Sequence, residues 1–197
     1  MTHFFKSILC LFFSIIYVEG GNVNKKVVLI IAHEGYQPIE YCNTRKELEK
    51  ADIAVMTASD KAGVAIDCFG EEESEKVTLT VKDLLKKDLD TLAGIFLIGG
   101  GGALDCLDNE DTQELMRRAE KNGLWYGAIC ISPRILCHAG LIDGKKITGW
   151  DNDGKLKSEC AKSDVVGGPV VVDGKLITAQ GPKAATEFGQ AIVNALK

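Results

Sequence analysis

No two of the seven cysteines stand in a CxxC pair, and with only three histidines no His/Cys spacing of a metal site can be assembled. That excludes zinc ribbons and fingers, and "HEGYQ" (33–37) fails the H-E-x-x-H pattern of a zinc hydrolase. A basic block is missing as well. With a net charge of -5, this argues against a nucleic-acid or anionic-membrane partner. Four prolines in all leave no Pro-rich linker, and neither repeats nor a second-domain boundary can be found. The remainder is ordinary for a globular chain: 197 residues, 46% hydrophobic and 26% charged, enough for one domain with a real core.

The longest apolar stretch lies at the start. "MTHFFKSILCLFFSIIYVEGG" carries Lys6, an apolar core from Ile8 to Val18 and small residues at Gly20 and Gly21. This is the plan of a secretory signal peptide and is too short to span a bilayer comfortably. We therefore divide the chain into a leader, 1–22, and a domain, 23–197, with no integral membrane segment in the mature protein. A cleaved leader places the protein in the secretory pathway, periplasm or extracellular space. An uncleaved one leaves it cytoplasmic. Removing the leader leaves six cysteines, and a chain with this much core does not need them as disulfide staples.

Beyond the leader, strand and helix patterns alternate. "KKVVLIIA" (25–32) is a continuous β-branched run, as a strand buried on both faces requires. "IEYCNTRKELEKA" reads as a helix and "DIAVMTA" as the next strand. "GVAIDCFGEEESEKVTLTV" reads as two short strands around a solvated acidic tip. "LAGIFLIGGGGALDC" is a buried strand running into four glycines, and "NEDTQELMRRAEKNG" a helix with acidic start and glycine stop. "KKITGW" is a strand, "PVVVDGKLITA" a hairpin turning at Asp173-Gly174, and "AATEFGQAIVNALK" a closing helix. The pattern predicts an α/β fold: a doubly wound, mostly parallel sheet sandwiched by helices in a single domain. Such folds bind ligands beyond the carboxyl ends of their strands. Three segments emerge there: "HEGYQPIE", "GGGGALDC" and "CISP".

Cys130 falls between a buried strand and a helix start, with Ser132 as the N-cap, Pro133 at the first helical position and Gly140 at the stop. A thiol at that turn would feel the helix's positive end, which favours a thiolate. It is the placement of a nucleophile elbow without the G-x-S-x-G sequence. A buried structural thiol is the other reading. Gly99–Gly102 is neither a P-loop nor a G-x-G-x-x-G fingerprint. Its bare N–H groups suit an oxyanion hole, or else the glycines serve a tight turn. His138 lies eight residues along the same helix, about 12 Å away and out of reach. His33 emerges at the correct edge as a candidate site neighbour. Glu40, at the start of the first helix, is the better partner: a carboxyl near a thiol has its pKa raised and can carry protons. An acid favoured by the helix N-terminus is its alternative reading.

Four segments, "EYCNTRKELEKADIAV", "IFLIGGGGA", "YGAICISPRILCHAGLIDGKKITGW" and "PVVVDGKLITAQGPKAATEFGQAIVNAL", together resemble the ThiJ/PfpI superfamily over residues 26–197. The resemblance implies a flavodoxin-like sandwich of the class I glutamine amidotransferase kind, assembled as a homodimer. It also implies a reactive cysteine at Cys130, a carboxylic partner at Glu40 and backbone oxyanion donors at Gly100 and Ile131. Gly99 and Trp150 join His33 as site neighbours, and neither metal nor cofactor is expected. The implied activity is cofactor-independent chemistry on small reactive carbonyls, of the glyoxalase III or deglycase type. A redox-sensing thiol protein or holdase without turnover is the alternative. Peptidase-like relatives place His directly after the cysteine, where this chain has Ile131, and several relatives have His-Pro or Tyr-Pro where it has Trp150-Asp151. Both departures weaken a peptidase or amidase and also a histidine-assisted glyoxalase, leaving the Cys130/Glu40 pair. Cys106, past the glycine loop, is a candidate resolving thiol for the redox alternative.

Overall fold

The computed structural model describes residues 26–70 and 74–197, so the expected leader and the acidic tip at 71–73 lie outside the described residues. The chain runs through β1 (Lys26–Ile31), β2 (Glu34–Tyr36), α1 (Pro38–Lys50), β3 (Ala54–Ser59), β4 (Gly63–Asp67), β5 (Glu75–Val77) and β6 (Leu79–Thr80). It continues with α2 (Val81–Leu85), β7 (Leu92–Leu97), α3 (Ala103–Leu107), α4 (Glu110–Lys121), β8 (Trp125–Ile129) and α5 (Pro133–His138). It closes with β9 (Lys146–Ile147), α6 (Leu156–Glu159), β10 (Asp164–Val165), β11 (Val170–Asp173), β12 (Leu176–Ala179) and α7 (Ala185–Ala195).

Seven strands form the central sheet in the order β11-β12-β8-β7-β1-β3-β6. Every pairing is parallel except β11 with β12, the hairpin that turns at Asp173 and Gly174. This is the doubly wound, flavodoxin-like sheet expected from the alternating pattern. Val27 to Ala32 have no exposed surface, because β1 lies at the sheet's interior and is covered on both faces. The chain leaves β1 toward β3 and leaves β7 toward β8, in opposite directions from the centre. Right-handed crossovers therefore put α1 and α4 on opposite faces. Accordingly α1 packs against α7, while α4 packs against α2 and α5.

One expectation about the strands needs correction and another needs extending. "KKITGW" contributes only β9, which pairs with β10 in a separate two-stranded sheet rather than joining the centre. Thr148, just beyond it, donates its N–H to the Thr178 side chain, so a side chain rather than a ladder ties this segment to β12. The β4–β5 pair is present and antiparallel, but β4 also pairs with β2, a strand of three residues too short to leave a period-2 signature.

Candidate active site

At the carboxyl edge, β7 and β8 each end in a sharp turn, and these two turns form the floor of the site. Cys130 follows β8 directly. It is one of only two described residues other than glycine with positive φ, at 65°. Its backbone is pinned on both sides: its N–H donates to Ala179 O at 2.9 Å, and its O accepts from Trp150 N–H at 2.7 Å. A left-handed conformation on a residue with a Cβ costs about 1–2 kcal/mol, and the neighbouring strands enforce it here. Ser132 was expected to cap the helix with its side chain. Instead its Oγ donates to Ile98 O at 2.8 Å, stitching the turn after β8 to the end of β7. Pro133 does take the first helical position.

The second turn begins at Gly99. Its N–H donates to Glu40 Oε2 at 2.9 Å, which brings the carboxyl from α1 to both turns at once. A Cβ on Gly99 would stand 2.4 Å from Cys130 Cβ and 2.7 Å from Glu40 Oε2, so the close approach of the two turns needs a glycine there. Glu40 is completely buried. Its Oε1 lacks a partner at full hydrogen-bond geometry; the Cys130 thiol interacts with this carboxyl without closing a well-aligned bond. Burial pushes Glu40 up to about 7, against the opposing pull of the Cys130 thiol and the Gly99 N–H.

The thiol itself departs from expectation. Burial first, and then the charge of Glu40, push Cys130 well above the ordinary thiol range, while the N–H groups of Ile131 and Gly100 pull it down. A helix of six residues offers too small a positive end to overcome that desolvation. Thiolate and carboxylate therefore do not coexist readily, and the pair is most stable with a proton between its two members. The backbone N–H groups of Gly100 and Ile131 lie near enough to the Cys130 sulfur to offset part of that rise.

Trp150 is also drawn in, through its N–H bond to Cys130 O and through Arg134, whose guanidinium lies 5.6 Å from the Trp150 ring centroid. Trp150, Asn152, Pro169, Gln180, Gly181 and Lys183 line a cavity of about 590 Å³. Gly181 links this cavity to the buried pair, since a Cβ placed there would lie 3.9 Å from Cys130 Sγ and 3.8 Å from Glu40 Oε1. Sequence reasoning had not singled out Gly181 or Arg134. The "QGP" at 180–182, inside a segment that carried the resemblance, was the available signal.

Other candidates fall elsewhere. His33 donates its N–H to Asp60 Oδ1 at 2.8 Å, and its ring faces Gly63 at the start of β4, on the β3 side of the edge. His138 pairs with Asp108 at 2.7 Å. Cys106 directs its thiol at Glu34 O, 3.7 Å away, and lines a separate cavity of about 390 Å³ with Asp60, Asn109 and Thr112. Among the described residues no cluster of three or more His, Cys, Asp or Glu could hold a metal. No helix among them is long and apolar enough to cross a membrane.

A doubly wound sheet with a strained elbow cysteine, a buried carboxyl and two converging backbone N–H groups defines a class: flavodoxin-like α/β proteins with a cysteine at the nucleophile-elbow position. The model of the DJ-1/PfpI family matches residues 25–195, and the chain belongs to that family. It is 32% identical over 180 residues to an uncharacterized protein of Staphylococcus aureus, covering 89% of this chain and all of that one. It is 29% identical over 174 residues to protein dj-1beta of Drosophila melanogaster, covering 87% and 89%. Among solved structures, a ThiJ/PfpI domain protein from Brachyspira murdochii superposes with a TM-score of 0.79 at 22% identity, over 87% of this chain and 95% of that one.

Proposed function

We propose that the chain is a cysteine-dependent, cofactor-independent enzyme acting on small reactive carbonyls, as a glyoxalase III or deglycase does. The observation that carries this reading is a fully buried carboxyl, held by the Gly99 N–H, set against a sulfur on a strained elbow.

In this reading Glu40 accepts the Cys130 proton as sulfur attacks an aldehyde carbon. The carbonyl π bond opens, and the new oxyanion is held by Gly100 and Ile131 N–H groups until a proton returns to it. In the hemithioacetal from methylglyoxal, Glu40 then removes the proton from the former aldehyde carbon and delivers one to the adjacent carbon. The product is a thioester, which water cleaves to lactate and free thiol. A carboxyl pushed up to about 7 suits both halves of that transfer near neutrality.

The test is turnover of methylglyoxal by the purified chain and by Cys130→Ala and Glu40→Gln. Each substitution is expected to lower kcat/KM by at least about 100-fold. Equal rates in all three proteins overturn the reading.

The same reading includes a homodimer. Ile39, at the start of α1, and Val64, Ile66 and Phe69, along β4 and just past it, are exposed large hydrophobic residues. They are neighbours: Gln37 Nε2 donates to Cys68 Sγ, and Tyr36 O accepts from Cys68 N–H. A second copy covering this strip would remove it from water. Sedimentation equilibrium is expected to return the mass of two chains, and the mass of one would overturn it.

A further inference from the structure

Two thiols outside the elbow stand on adjoining elements, one in α5 and one at the end of α6. Cys137 is the fifth residue of α5, and Cys160 is the C-cap of α6. The Cys137 thiol donates to Glu159 O at 3.0 Å. That oxygen belongs to the peptide group that also contains the Cys160 nitrogen, so the two side chains start from adjoining positions. Burial raises both thiols, with Cys160 partly offsetting the rise at Cys137 and Cys137 adding to it at Cys160. Cys160 has no exposed surface, whereas Cys137 is only half-buried and is the one an oxidant can reach.

The segment between them carries functional weight. Arg134 of α5 is almost wholly buried, bonds Asp153 through Nη1 at 3.0 Å and lies with Nε 3.5 Å from Glu159. It also packs against Trp150, a wall of the cavity beside Cys130. Residues 139–159 are therefore fastened to α5 by the ion pairs of Asp153 and Glu159 with Arg134, and Cys137, one turn further along α5, holds the Glu159 carbonyl.

We propose that Cys137 and Cys160 form a redox-active dithiol that closes to a disulfide on exposure to hydroperoxides, clamping α6 and the Trp150-bearing segment to α5. The chemistry balances with one hydroperoxide per pair. The Cys137 thiolate attacks the peroxide, the O–O bond breaks, and water or an alcohol leaves as the sulfur becomes a sulfenic acid. Cys160 then attacks that sulfur, the S–O bond breaks, and water leaves with the Cys160 proton. Two thiols lose two electrons, and the hydroperoxide takes them up.

The test uses the full chain carrying Cys130→Ala, so that the elbow thiol plays no part, treated with tert-butyl hydroperoxide. Non-reducing peptide mapping is expected to recover the Cys137 and Cys160 peptides joined to each other and separated by dithiothreitol. Closing a loop of this size is expected to raise Tm by about 5–10 °C over the reduced protein. In Cys160→Ser the bridge is lost, and dimedone labels Cys137 instead. Recovery of both thiols free after oxidation, or of either joined to another cysteine, overturns the proposal. The map of the protein with both thiols intact decides the matter even if Cys160→Ser does not fold.

Discussion

The turn after β7 and the turn after β8 lie side by side at the same sheet edge, and they solve the same steric problem in opposite ways. At Gly99–Gly102 the chain approaches β2 so closely that a Cβ on Gly102 would stand 1.8 Å from Glu34 O, and one on Gly100 would stand 2.3 Å from Gly35 O. Glycine removes the conflict. After β8, where φ is again positive, the residue is a cysteine, and the conflict is kept. A turn that glycine would satisfy but that carries a strained thiol is one where the side chain is needed for something other than folding. Glu40 joins the two turns, accepting from Gly99 and lying against Cys130.

The largest effect that would test this contrast is at the glycine turn. Gly102→Ala is expected to destabilise the protein by about 3 kcal/mol or more, because the obstructing atom is backbone and cannot swing aside. Gly101→Ala, next to it in open space, is expected to change stability by no more than about 0.5 kcal/mol. Equal effects in urea denaturation would show that crowding is not what the glycines relieve.

Glu40→Gln asks to which turn the carboxyl belongs. With its folded pKa raised to about 7 from 4.5, Glu40 favours the folded state below the unfolded pKa, and that contribution is lost as pH rises through 7. Glutamine keeps the acceptor for Gly99 and never ionises. The variant is therefore expected to be more stable than the parent by about 2–3 kcal/mol near pH 8 and nearly equal to it near pH 5. A difference independent of pH would make Glu40 a bracket for Gly99 rather than a carrier of protons.

The smallest effect concerns the strain itself. Cys130→Gly is expected to be more stable than Cys130→Ala by about 1 kcal/mol, the left-handed penalty less the added chain entropy. A glycine variant no more stable than alanine would mean that the elbow is unstrained and the contrast between the two turns empty.

Local patterning already specified the alternation of elements, the hairpin at Asp173-Gly174 and the edge at which the three polar segments emerge, because period and turn chemistry are properties of neighbouring residues. Turn and helix-start chemistry brought out Cys130 and Glu40 as candidates, and the family pattern added Gly100 and Ile131. Tertiary packing decided what those positions are like. Ser132 caps no helix because Ile98 O is closer to hand, and His33 faces β4 because β2 and β4, brief strands without a pattern, form a sheet of their own. The thiol expected to ionise easily is held protonated, since the groups that close against it include Gly100 and Glu40, 30 and 90 positions earlier in the chain. Which groups lose their water, and which charge each then faces, is set only when distant segments close over them.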